Sequence, residues 1–210
     1  MAFATIGTRG IQAQSVDLSS KVTGTLPVPN GGLGVASGTT GQFLKFTGTE
    51  TLASATVDPG ITVAGQFRIT SNQSGDKDPL DAWEENDTNY SRIGSAVTQS
   101  SGIFSMPSTG IYLIIWDVAC NSTGGTDKST GWEIYMTTNN SSYSKIARNT
   151  ESFSDTYQYK NTNTSVMVDI TDVSQCKIKF VVTGTNNNVQ TDGNTGENQT
   201  AVTFLRLGDT

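Results

Sequence analysis

The chain has 210 residues, a formal net charge of −6 and 15% charged residues, against about 25% in an average globular protein. It contains no histidine, which removes the commonest general base and the commonest metal ligand and argues against an enzyme. No dense Lys/Arg cluster and no apolar run near the ~18 residues of a membrane span occur, so neither nucleic-acid binding nor membrane insertion is expected.

Ser, Thr, Asn and Gly replace the missing charges, a composition that suits strands and turns. From residue 1 to about 60, Leu18, Val22, Leu26, Val28, Leu33, Phe43, Leu44 and Phe46 are scattered among Gly and Thr without a helical or strand period. This segment cannot bury a core alone and reads as an extended anchor and linker arm. Within it, Thr23 to Gly34, "TGTLPVPNGGLG", holds two prolines and four glycines. A Walker loop ends in Gly-Lys-Ser/Thr, whereas the next lysine here is Lys45. A dinucleotide fingerprint needs a strand and a helix around its glycines, and no helix is readable. The stretch reads as a strap. Pro27 and Pro29 keep it extended, Asn30, Gly31 and Gly32 turn it, and Leu26, Val28 and Leu33 are its apolar plugs.

Residues 61–210 read as one head domain of short strands. "GQFRIT", "YSRIGSAV", "GIYLIIWDVAC", "GWEIYMTT", "SVMVDI", "CKIKFVV" and "TAVTFLRL" recur between clusters of turn residues. The pattern predicts an all-β antiparallel sandwich or jelly roll. In "GIYLIIWDV", Ile111, Leu113 and Ile115 face one side, and Tyr112, Ile114 and Trp116 the other. Both faces are apolar, so one meets the sandwich core and the other meets a second subunit or a covering loop, with a subunit favoured. Trimer-interface or core positions are Phe104, Tyr112, Ile114, Trp116 and Phe204.

The loop over residues 76–87 gathers Asp76, Asp78, Asp81, Glu84, Glu85 and Asp87. It reads as a solvated acidic loop, with Asp76, Asp78 and Asp81 as calcium candidates. No cofactor is expected. Tyr143, Phe153, Tyr157 and Tyr159 lie among Ser, Thr and Asn and either form a candidate recognition surface for a host glycan or protein or pack on the sandwich. Cys120 and Cys176 could pair, but their β-rich surroundings favour buried free thiols. The opening "MAFATIGTRG" lacks the charged and apolar regions of a signal peptide, which predicts synthesis in the cytosol.

Gly102, Phe104, Pro107, Gly110 and Tyr112 resemble the early-strand signature of the complement and tumour-necrosis-factor superfamily of jelly rolls, and "AVTFLRLG" resembles its final strand. The resemblance implies a homotrimer around a threefold axis with apolar and aromatic residues at the centre. In the direct reading, Pro107 and Gly110 turn a hairpin that pairs Phe104 with Tyr112. Val22 to Thr49 is similar to a repeat of bacteriophage tail fibres and other virion appendages. Gly24 to Pro27, Asn30 to Gly32, Gly34 and Gly41 to Leu44 match; Leu33 departs from the usual Thr, and one copy is present. Together the two resemblances imply a trimeric bacteriophage virion protein. It would be displayed on the particle and joined to the major capsid protein or to a tail component. Capsid decoration or a head fibre, a short tail fibre, and a polysaccharide-active enzyme using Asp81 or Glu84 are the readings to separate.

Overall fold

The computed structural model describes residues 41–48, 51–56, 60–124, 127–185 and 187–210. The strap residues Leu26 to Leu33 lie outside them. β1 (Phe43–Gly48) and β2 (Thr51–Ala55) pair antiparallel, with Phe43 opposite Ala55 and Phe46 opposite Leu52. This part of the expected extended arm is therefore a hairpin. Phe43, Leu44 and Phe46 are 44%, 40% and 68% exposed. The hairpin belongs to the unit ending at Asp58, and the strands below to the unit from Pro59 to Thr210.

That second unit is all strand: β3 (Ala64–Ile69), β4 (Ser71–Ser74), β5 (Trp83–Glu85), β6 (Thr98–Ser100), β7 (Ile103–Ser105), β8 (Gly110–Ser122), β9 (Asp127–Thr137), β10 (Ser144–Phe153), β11 (Tyr159–Ile170), β12 (Lys177–Thr183), β13 (Val189–Asn194) and β14 (Ala201–Gly208). A five-stranded sheet runs β10-β9-β12-β7-β6. A seven-stranded sheet runs β4-β13-β8-β14-β3-β5, with β11 on the other side of β8. Every pairing is antiparallel. The sequence expectation of an antiparallel jelly-roll sandwich holds.

The two sheets meet through rings. Phe104 of the five-stranded sheet lies 5.3 Å from Phe67 and 5.2 Å from Phe204 of the other, and 5.4 Å from its neighbour Phe180. Trp116 lies 4.8 Å from Phe180. Edge-to-face and tilted geometries dominate, the arrangements the ring quadrupole favours.

The Phe104–Tyr112 hairpin is corrected. β7 and β8 belong to different sheets, so Met106 to Thr109 cross from one layer to the other. Tyr112 instead sends its hydroxyl to the Ser108 carbonyl at 3.0 Å, bracing the crossover. Gly110 enters β8 at φ +135°, where a Cβ would collide with the Gly208 carbonyl. The expected strand "YSRIGSAV" is a loop, tied to β3 by the bridge of Ile93 to Ala64 and by the Gln66 N–H bond to the Tyr90 hydroxyl.

Candidate interaction face

Antiparallel partners directly opposite each other share a face. On the outward face of the seven-stranded sheet, Met167, Leu113, Leu205 and Ala64 form one row across β11, β8, β14 and β3. Ser165, Ile115, Thr203 and Gln66 form the next. Asn163, Asp117, Ala201 and Arg68 form the third. Ile111 and Leu207 extend the apolar end. The face thus grades from aliphatic to polar along β8. Met167 is 67% and Leu207 47% exposed, while Ile111, Leu113, Ile115 and Leu205 are half-buried. This is the second apolar face of the β8 sequence, and among the described residues it keeps exposed apolar side chains.

The sequence reading placed an interface or core at Phe104, Tyr112, Ile114, Trp116 and Phe204. All five are 0% exposed and lie between the sheets. They cannot reach another subunit, so the interface half of that assignment is corrected. The large rings fill the wide gap between sheets, and the aliphatic alternates Ile111, Leu113 and Ile115 turn outward.

The polar end of the face is built from satisfied groups. Asn163 donates to Asp117 at 2.5 Å. Arg68, 2% exposed, donates to Glu84 at 2.7 Å and to Asp87 at 2.6 Å. A cleft of about 260 Å³ is lined by Asp117, Asn161, Thr162, Asn163 and Gln199.

The calcium candidates do not converge. Asp76 accepts from the Thr185 backbone at 2.9 Å and its hydroxyl at 2.6 Å. Burial raises its pKa, but these hydrogen bonds outweigh it and hold the carboxyl below its ordinary value. Asp78 pairs with Lys179, and Asp81 points to solvent. Among the described residues, no three His, Cys, Asp or Glu side chains gather into a metal site. With Glu84 engaged by Arg68, the Asp81/Glu84 pair has no free buried carboxylate to offer.

The four aromatics of the expected recognition surface divide. Phe153 is buried at 2%, with Lys160 Nζ 5.3 Å from its ring centre. Tyr143 is half-buried, with Lys179 Nζ 4.8 Å from its ring. Tyr157 and Tyr159 are 73% and 75% exposed. Tyr157 sits at φ +60°, a conformation an L residue adopts at a cost.

On the five-stranded sheet, Glu133 is a nearly buried carboxylate that sequence reading missed, because one Glu in an alternating strand carries no distinguishing signal. It accepts from Lys145 at 2.9 Å and Tyr135 at 2.9 Å, and lies 3.1 Å from Arg148. Burial pushes its pKa up, but the Lys145 and Tyr135 hydrogen bonds and the two cations outweigh burial and lower it. Cys120 and Cys176 are buried and free, and burial pushes the Cys120 thiol up to about 12.

No protein-family model matches the chain, and none of the curated protein sequences is similar to it. Solved structures do match the fold. Murine APRIL at pH 5.0 superposes with a TM-score of 0.52 at 14% identity, covering 69% of this chain and 98% of that one. Eiger TNF from S. frugiperda superposes with a TM-score of 0.55 at 12% identity, covering 72% of this chain and 95% of that one. At such identities the likeness concerns fold, and the head of this chain is a tumour-necrosis-factor-like jelly roll.

Proposed function

We propose that the chain is a bacteriophage virion structural protein. It forms a homotrimer, anchored by an arm over residues 1–60 and projecting its jelly-roll head as capsid decoration or a head fibre. Its role is assembly and binding. The observation that carries the trimer is the row of Met167, Leu113 and Leu205 on an open sheet face, with Met167 two-thirds exposed. Monomers seldom leave a contiguous aliphatic face in water. Closing three such faces around an axis would bury it, as the resemblance to the tumour-necrosis-factor superfamily implies. Placement on a virion rests on the similarity of Val22 to Thr49 to the appendage repeat. Three arms held by one trimer attach together, and multivalency makes release slow.

A short tail fibre is the second reading, favoured by the exposed Tyr157 and Tyr159. Copy number per particle separates the two, with hundreds expected for capsid decoration and a few dozen or fewer for a tail fibre. Deleting residues 1–60 should leave a trimeric head that no longer joins the particle. A monomeric head would refute the threefold assembly, and an incorporated one would refute the anchor.

A further inference from the structure

We propose, resting on the trimeric reading above, that the β1–β2 hairpins of three copies pack against one another as a second apolar cluster. Partners directly opposite each other share a face. Leu44 stands opposite Ser54, and Phe46 opposite Leu52. One face of the hairpin is therefore Leu44, Phe46, Leu52 and Ser54, and the other holds Phe43, Lys45, Ala53 and Ala55. The first face carries no charge, while Lys45 makes the second the wet one. Leu44 is 40% and Phe46 68% exposed.

A two-stranded hairpin is marginally stable in water unless its apolar face packs on something. β1 and β2 form a sheet of their own, with no third strand among the described residues. A second copy of the chain brings the same uncharged face with the same need for cover.

The length of the tether favours that occupant. Ala55 closes β2 and Ala64 opens β3, so the chain between them spans at most about 30 Å. Ala64 stands in the aliphatic row with Leu205, Leu113 and Met167. A trimer closed on that row tethers three hairpins around one axis, at an effective concentration on the order of millimolar. Area then sets the order of events. A stable interface buries about 800 Å² per partner, and a phenylalanine contributes only about 150–250 Å². Three side chains per hairpin fall short of holding a trimer alone, so the hairpins cluster only after the head has assembled.

The test is hydrogen-exchange mass spectrometry on the full-length protein, with light scattering on the same samples. Amides of residues 43–55 should exchange slowly in the wild-type trimer. Phe46→Asp should speed their exchange about tenfold or more, the factor set by exposing one phenylalanine side chain, while the trimer persists. Phe46→Leu should keep most of the protection. Leu113→Asp, which opens the head seam, should remove the protection in the resulting monomer. A short bis-maleimide should join chains through Ser54→Cys and far less through Ala53→Cys, with the native Cys120 and Cys176 buried and out of reach. Should Leu113→Asp stay trimeric, Phe46→Asp and the crosslinks decide. Fast exchange in a wild-type trimer would overturn the cluster and point to a partner outside the chain. Protection kept in the Leu113→Asp monomer would overturn it in favour of cover by the chain's own residues. Equal crosslinking at both positions, or protection unchanged in Phe46→Asp, would overturn it too. Each of these leaves the trimer standing, whereas a monomeric wild type would overturn the cluster and the trimeric reading together.

Discussion

Leu113 of β8 stands directly opposite Met167 of β11 on the outward face of the seven-stranded sheet. Leu113 is half-buried by its neighbours, and Met167 lies open. If this pair is part of the trimer seam, a charge there must be desolvated three times over on assembly, at a few kcal/mol each. Leu113→Asp and Met167→Asp should each convert the trimer to monomer in size-exclusion chromatography with light scattering. Far-ultraviolet circular dichroism should stay unchanged. A trimer that survives both substitutions would move the seam elsewhere.

Phe104 carries a different kind of energy. Its ring meets Phe67, Trp83, Phe180 and Phe204 at centroid distances of 5.2 to 5.5 Å. Phe104→Ala should cost about 3–5 kcal/mol, because it opens a cavity where the two sheets meet. Phe104→Leu should cost markedly less, since it keeps most of the volume. Urea denaturation of both variants checks the difference, and equal losses would show that ring stacking outweighs filled space.

These two residues also mark what could be read in the sequence. β8, β12 and β14 are legible because their apolar alternates stand out, and "CKIKFVV" does alternate half-exposed Lys177 and Lys179 with buried Ile178 and Phe180. Which face of β8 points inward is not legible, because Ile111, Leu113 and Ile115 are as apolar as their alternates. β10 and β13 are polar strands, held by their pairings with β9, β8 and β4, and so they resemble loops. "YSRIGSAV" misleads in the opposite direction. Its Ile93 is 48% exposed, and Gly94 turns the chain at φ +69°, where a Cβ would collide with the Thr62 carbonyl.

Tyr157 offers a test of local strain. It holds φ at +60° with its ring in solvent and its N–H donating to the Ser122 carbonyl at 2.8 Å. The left-handed conformation costs an L residue roughly 1–2 kcal/mol, which glycine avoids, against roughly 0.5–1 kcal/mol of glycine's added unfolded-state entropy. Tyr157→Gly should therefore leave stability unchanged or raise it by up to about 1 kcal/mol, or ~2–4 °C in Tm for a domain of this size. Tyr157→Val, β-branched, should lower it. A loss on Tyr157→Gly would mean that the exposed ring makes a contact in the assembled protein.

Glu133 ties stability to acid. Its folded pKa lies below the ordinary glutamate value of 4.5, because the hydrogen bonds from Lys145 and Tyr135 and the charges of Lys145 and Arg148 outweigh the cost of burial. A depressed folded pKa means that the unfolded chain takes up the proton first. The stabilisation is complete above the unfolded value and drains away as pH falls below it, through the folded value. Glu133→Gln removes that titration. At neutral pH the variant should be less stable by about 1–2 kcal/mol, a modest figure because Lys145 and Arg148 are 41% and 42% exposed and water partly replaces their partner. Below the folded pKa the gap between wild type and variant should close. Thermal melts across the acid range check this, and a gap that stays constant with pH would show that shape and hydrogen bonding, without the charge, account for what Glu133 contributes.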